Sequence, residues 1–444
     1  MPEAAEGNSE SVALAMRATA AHLFHHAMHE ASVVRGFQRH VSCDHGVLRI
    51  CDDLYDLQCY SRVFVVSMGK AAHSMVSALI TQAGDRFEGI VSGLASADSQ
   101  VRGFRYFEGG HPLPNGESVA AANAILKSLA SLDASSLAIF MLSGGGSAMV
   151  EKPIDDEICL PDLISTYRTL IHSAAPITEI NAVRKHLSAV KGGRLARAAH
   201  PAHQVSLLIS DVPDHTPDAL ASGPTMADAT SIEDCYAITS KYGMTAEFPT
   251  SVRELFQRRA LEETPKSGDP EFSRSRWWTV LSNAAILEHV RKEGESLGFH
   301  CEIDNSCDDW EYTRARDYLL DRVRNLRKNF AKVCLINGGE VTVKVTGEGI
   351  GGRNQQFALS CAQPISGKNV TILSAGTDGI DGNSSAAGAI VDGETVEKGK
   401  RLGLDAQDYL SRNDAATFFD RTGDAIVTGP SGNNLRDLRI FLAY

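Results

Sequence analysis

The sequence predicts an α/β protein: a parallel-sheet domain followed by a second, smaller α/β pass. Three observations carry this. Short apolar runs alternate with segments of helical spacing along most of the chain. The runs are continuously apolar, as strands buried on both faces must be. Several stop abruptly at glycine or at an acid, where the loops of an open α/β sheet gather.

Residues 10–30 have helical spacing and read as a leading helix, with 1–10 expected to be flexible. Residues 62–68 (RVFVVSM) form an apolar run ending at Gly69, and 71–80 then read as a helix. Residues 87–92 are a further strand candidate and 116–132 carry alanine and leucine at helical spacing. The runs 137–142 and 205–209 are stopped by Ser143-Gly-Gly-Gly-Ser147 and by Ser210-Asp211. Residues 261–276 (LEETPKSGDPEFSRSR) are polar and broken by proline and glycine, so they read as a linker or loop. Beyond it, 277–281 read as a strand, 284–297 and 313–329 as helices, and 333–336, 341–345, 370–373 and 425–427 as strands. The expected division is therefore 1–260, a linker at 261–276, and 277–444.

The composition narrows the function. The 43 basic residues against 55 acidic ones leave a formal net charge of −12 on 444 residues. That balance argues against nonspecific nucleic-acid binding and against docking on an anionic membrane. The hydrophobic fraction of 43% is ample for a core. Nine cysteines, none in a C-x-x-C pair, argue against a disulfide framework and for a reducing compartment. No apolar run approaches the roughly 18 residues of a membrane span. The acidic N-terminus lacks the basic region of a signal peptide. The expectation is a cytoplasmic protein, monomeric or homodimeric, acting on small molecules.

The chemistry lies in the glycine loops. Ser143, Gly144, Gly145, Gly146 and Ser147 follow an apolar strand and form the best phosphate cradle, since three glycines let backbone N–H groups approach an anion. A flexible turn is the alternative. Lys70 sits between a strand and a helix, where a cation is unfavourable unless an anion lies beside it. Asp211, Asp378 and Asp381 lie just past apolar runs, placed to hold Mg²⁺, accept a proton or cap a turn. His111, between glycines and prolines, suits either a substrate carboxylate or a turn-stabilising bond. Arg353 and Asn354 adjoin the glycines of 347–352, where an arginine's planar fork suits phosphate or carboxylate. Gly347, Gly349 and Gly352 satisfy G-x-G-x-x-G, but without a fitting βαβ context. Walker A, G-x-S-x-G and the protein-kinase motifs are absent.

These blocks resemble the class II glycerate kinases: SMGKAA (67–72), GGHPLPNGES (109–118), MLSGGGSAMV (141–150), INAVRKHLSAVKGGRLA (180–196), SDVPDH with ASGPT (210–225), GGE and GGRNQ (338–340, 351–355), AGTDGIDG (375–382) and TGPSGNNLRDL (428–438). The resemblance runs from about residue 12 to the end. It implies a Rossmann-like N-terminal domain, a C-terminal MOFRL domain over about 330–444, and an active site in the cleft between domains. It implies phosphorylation of D-glycerate at the 2-hydroxyl by ATP with Mg²⁺. The family's catalytic lysine falls on Lys70 and its arginine on Arg353, with Asp211 as a third catalytic candidate. Both cations and His111 are expected to meet substrate. The nucleotide is expected on 143–147, Asn283, Glu340 and Asn354, and the metal on Asp211 and Asp378. The family's usual Gly-Asp after Ser-Asp-Val-Pro is Asp214-His215 here. Two other readings are an NAD(P)H-dependent hydroxypyruvate reductase and a noncatalytic metabolite-binding relative.

Overall fold

The computed structural model describes residues 3–94, 100–213 and 215–444, with side chains on the leading helix from Val12 onward. The chain forms two compact units, Gly36–Val280 and Met1–Arg35 with Leu281–Tyr444.

The Gly36–Val280 unit opens with a small antiparallel sheet of β1 (Val41–Asp44), β2 (Val47–Ile50) and β3 (Asp53–Asp56). Its main sheet holds β4 (Arg62–Met68), β5 (Glu88–Gly93), β6 (Phe104–Glu108), β7 (Ser136–Ser143), β8 (His203–Ile209) and β9 (Ser275–Leu281) in the order β6-β5-β4-β7-β8-β9. The first five are mutually parallel. All eight residues of β7 are buried, because helices cover both faces of the sheet. One core joins Phe64, Val66, Phe140 and Leu208 with Ile125 and Leu195. A second joins the helices Leu160–His172, Ile177–His186 and Thr250–Gln257 through Tyr167, Val183 and Phe256.

The other unit has β10 (His300–Ile303), β11 (Val333–Gly339), β12 (Val370–Gly376), β13 (Gly388–Asp392), β14 (Ala425–Ile426) and β15 (Asp437–Ala443), ordered β10-β11-β15-β12-β13-β14. Only β10 and β11 pair in parallel; the remaining pairs are antiparallel. Its core gathers Phe357, Phe418, Phe419 and Phe441.

The observed units depart from the expected division at two places. The leading helix, Glu3–Glu30, belongs with the C-terminal unit, because Arg17 pairs with Asp392 and Asp424 and donates to Thr395. Within the 1–10 stretch expected to be flexible, Met1 and Pro2 lie outside the described residues and the helix begins at Glu3. The 261–276 stretch is packed into the Gly36–Val280 unit, where buried Thr264 donates to Asp228 and the Asp228 N–H donates to Pro265. The strand after it, β9, extends the first sheet. Residues 341–345 are not a strand; Thr342 forms a single bridge to Glu311. Among the described residues no helix is long and apolar enough to cross a membrane.

Candidate functional site

The predicted residues fall into two clusters, one in each unit. The first sits at the carboxyl ends of β4, β7 and β8. Gly69 follows β4 with φ of 116°, and a Cβ there would lie 2.3 Å from Ser143 Oγ. The Lys70 N–H donates to the Gly144 carbonyl at 2.9 Å, and the Ala71 N–H donates to Ser143 Oγ at 3.0 Å. Two strand-end loops are thereby stitched edge to edge, with Lys70 carried on the seam. The buried Ser143 hydroxyl is engaged in this stitching and also donates to the Met68 carbonyl.

The glycines of this turn are each demanded by a neighbour. A Cβ on Gly144 would lie 1.9 Å from Asp211 Oδ2. A Cβ on Gly145, whose φ is 83°, would lie 3.0 Å from His111 Cδ2 and 3.3 Å from Lys70 Cγ. Asp211 therefore lies against Gly144, and Lys70 and His111 against Gly145, on consecutive residues of one turn. The short helix Gly146–Met149 starts there, and its first N–H groups have no acceptor within the helix. The His111 pKa is lowered, first by desolvation and then by the Lys70 charge, which favours the neutral ring. Asp214, part of the departure from the family pattern, lies outside the described residues; His215 is exposed.

The second cluster is built on the helix Arg353–Ile365. Asp381, nearly fully buried, accepts from the N–H groups of Asn354 and Gln355 and so pins the first turn. Burial pushes the Asp381 carboxyl up to about 6, against the pull of those two N–H groups. Arg353 donates through Nε to Asp437 Oδ2 at 2.7 Å and through Nη2 to Asp437 Oδ1 at 3.0 Å. Nη2 also lies 2.8 Å from Glu340 Oε1. Burial opposes the Arg353 charge, but Asp437 and Glu340 outweigh it and raise the pKa.

Asp437 is the node that sequence reasoning missed. It is buried and also accepts from Arg439 Nη2 and Asn354 Nδ2, each at 2.9 Å. The signal was present: β15 reads DLRIFLA, and two opposite charges inside an otherwise apolar strand need a buried reason. Asn354, expected to touch nucleotide, is buried with its amide committed to Asp437 and Ser374. Asn283, expected likewise, donates to the Leu435 and Asp437 carbonyls and accepts from the Gly339 N–H. Both therefore shape the cluster from behind. Asp378 accepts from the Ile380 N–H in an Asx turn. Arg353, Gln356, Asp378, Asp381 and Asn413 line a cavity of about 570 Å³ whose apolar wall includes Val343, Val345 and Ile380.

The G-x-G-x-x-G match has a packing explanation. A Cβ on Gly347 would lie 2.1 Å from the Arg412 carbonyl, and one on Gly349 would lie 2.5 Å from Asp414 Cβ. These glycines allow 347–349 to lie against 412–414, and no strand leads into them.

Residues 19–257 match the family model described as Domain of unknown function (DUF4147), and residues 333–437 match that of the MOFRL family. The D-glycerate 2-kinase of Thermotoga maritima is 35% identical over 388 residues, spanning 86% of this chain and 90% of its own. The glycerate 2-kinase of Pyrococcus horikoshii is 34% identical over 393 residues, spanning 87% of this chain and 88% of its own. A crystal structure of the Thermotoga maritima glycerate kinase matches with a TM-score of 0.86 at 32% identity, covering 97% of this chain and 100% of that one. This chain belongs to the glycerate 2-kinase family, a DUF4147 region followed by a MOFRL region.

Proposed function

We propose that this chain transfers the γ-phosphoryl group of ATP to the 2-hydroxyl of D-glycerate, giving 2-phosphoglycerate and ADP. The observation that carries the reading is the Gly144–Gly145 turn, walled by Lys70, His111 and Asp211 so closely that a Cβ on either glycine would fill the space. The missing side chains let an ammonium, an imidazole and a carboxylate come against one glycine turn, the mix of groups that a phosphate and its metal call for.

Phosphoryl transfer depends mostly on positioning and on charge neutralisation. In this reading the 144–147 backbone orients the phosphates. Lys70 neutralises charge that grows on the transferring group. Arg353 presents a fork already oriented by Asp437 to a phosphate or to the glycerate carboxylate. Neutral His111 donates to or accepts from substrate without adding positive charge beside Lys70. Asp211 is the candidate to take the proton of the attacking hydroxyl. A carboxylate pressed on the phosphate turn also fits Mg²⁺, which needs only one or two protein carboxylates beside phosphate oxygens. Asp211 would hold it, with Asp378 as the alternative, and bound Mg²⁺ supplies charge neutralisation on the phosphates.

Phosphorus NMR of the purified protein with ATP, Mg²⁺ and D-glycerate tests this directly. A 2-phosphoglycerate resonance is expected. A 3-phosphoglycerate resonance would overturn the regiochemistry, and a folded protein giving no glycerate phosphate would overturn the activity.

A further inference from the structure

The longest of the blocks that carry the family resemblance, 180–196, takes no part in the chemistry above, yet it carries two lysines that are 5% and 1% exposed, Lys185 and Lys191. A buried ammonium is costly unless it is paired and hydrogen-bonded. Each is paired, and each pair ties into a segment that adjoins the 144–149 turn.

Lys191 pairs with Glu151, itself fully buried and two residues past the helix Gly146–Met149. Glu151 also accepts from Tyr167 at 2.7 Å and from Ser188 at 2.6 Å. The backbone follows suit: the Ala189 N–H donates to the Lys152 carbonyl and the Ile154 N–H to the Leu187 carbonyl. The downstream end of the turn is thus fastened to the 187–191 segment.

Lys185 reaches Asp228 at 3.2 Å and Asp218 at 3.1 Å. Asp228 has a fully buried carboxylate and by itself suffices to neutralise the lysine. The second arm goes to a half-exposed carboxylate at the start of the Pro217–Ser222 turn. That turn holds Ala221 and Ser222 at φ of 50° and 61°, a left-handed conformation that non-glycine residues seldom adopt. Gly192 and Gly193 donate to the carbonyls of Ser222 and Gly223, keeping it in place. Its purpose is visible in the contact it makes: Ala221 Cβ lies 3.1 Å from where a Gly146 Cβ would sit.

We propose that Lys185 and Lys191 are positioning residues for phosphoryl transfer, holding the two segments that brace the 144–149 turn and so setting where its N–H groups point. The proposal rests on the reading of that turn as the phosphate site.

The test compares four variants by kcat, KM for ATP, Tm and far-UV circular dichroism. Asp218→Asn removes the outer arm of Lys185 and leaves the buried Lys185–Asp228 pair. Asp218→Glu keeps its charge. Glu151→Gln combined with Lys191→Met removes both buried charges together. Lys70→Ala reports on the phosphate site itself. We expect Asp218→Asn to shift kcat or KM for ATP by about tenfold at nearly unchanged Tm, because small displacements of a catalytic loop cost rate far more than stability. Asp218→Glu should recover most of that loss, and the double variant should lose at least as much as Asp218→Asn. If Asp218→Asn and the folded double variant stay near wild-type while Lys70→Ala is crippled, the positioning role is wrong and the phosphate site stands. If Lys70→Ala is also near wild-type, the phosphate site falls and the positioning role falls with it. Should the double variant fail to fold, the Asp218 pair decides.

Discussion

Asp437 grips Arg353 with both carboxylate oxygens, at 2.7 and 3.0 Å, while the same carboxylate is shared with buried Arg439. One buried anion between two guanidinium groups fixes the plane of Arg353 as well as its charge. An ammonium has no such plane to offer. Arg353→Lys is therefore expected to lower kcat by about 10²–10³-fold, comparable to losing a preorganised donor. Steady-state kinetics at saturating ATP and glycerate would check this, and a loss of only a few-fold would remove Arg353 from the transition state.

The same node predicts a stability effect. In Asp437→Asn the buried Arg439 keeps its bonds to Asn337 and the Gly339 carbonyl but loses its counter-charge. Breaking a buried pair from one side typically costs about 3–5 kcal/mol. Denaturant unfolding would measure it. A change below about 1 kcal/mol would mean that Asp437 orients Arg353 without supporting the fold.

Gly144 links Asp211 to the phosphate turn, and the link is steric. In Gly144→Ala the new methyl would stand 1.9 Å from Asp211 Oδ2, so the carboxylate must move. Turnover should drop by about tenfold or more, as for other small displacements of catalytic groups. Circular dichroism should stay near wild-type. Normal kinetics in a folded Gly144→Ala protein would show that Asp211 has no role there.

Much of the architecture was legible because β4, β7 and β8 are apolar on both faces and end at Gly69, Ser143 and Ser210. The same punctuation placed the candidate residues Lys70, Ser143 and Asp211 at those ends. Other features depended on partners that a local pattern does not name. Residues 341–345 alternate like a strand, but β11, the strand they follow, already has β10 and β15 on its two sides, so it offers no side for a hairpin partner. The leading helix shows helical spacing, but its place in the C-terminal unit rests on partners distant in sequence, among them Asp392 and Asp424 for Arg17 and Glu293 for His22. Asn354 looked like a ligand because it follows Arg353. Helical geometry turns its side chain inward, to Asp437 and Ser374.

Asp381 makes the fold of its unit pH-dependent in an uncommon direction. Burial raises its carboxyl to about 6 in the folded protein, from 3.8 as the ordinary value. The folded state therefore holds the proton more tightly than the unfolded chain between those two pH values. Its stabilising contribution is fullest below the unfolded value and is lost as pH rises through about 6, by at most about 3 kcal/mol. Other carboxylates pull the opposite way, so the measurement is a difference: unfolding free energy of wild type minus that of Asp381→Asn, from pH 4 to 7. Asparagine cannot titrate and accepts only through one oxygen, so it also loses one of the two bonds from the Asn354 and Gln355 N–H groups. The difference should fall across pH 4–6 and level off above it. A difference that rises with pH would mean that the two N–H groups outweigh burial and keep Asp381 a strong acid.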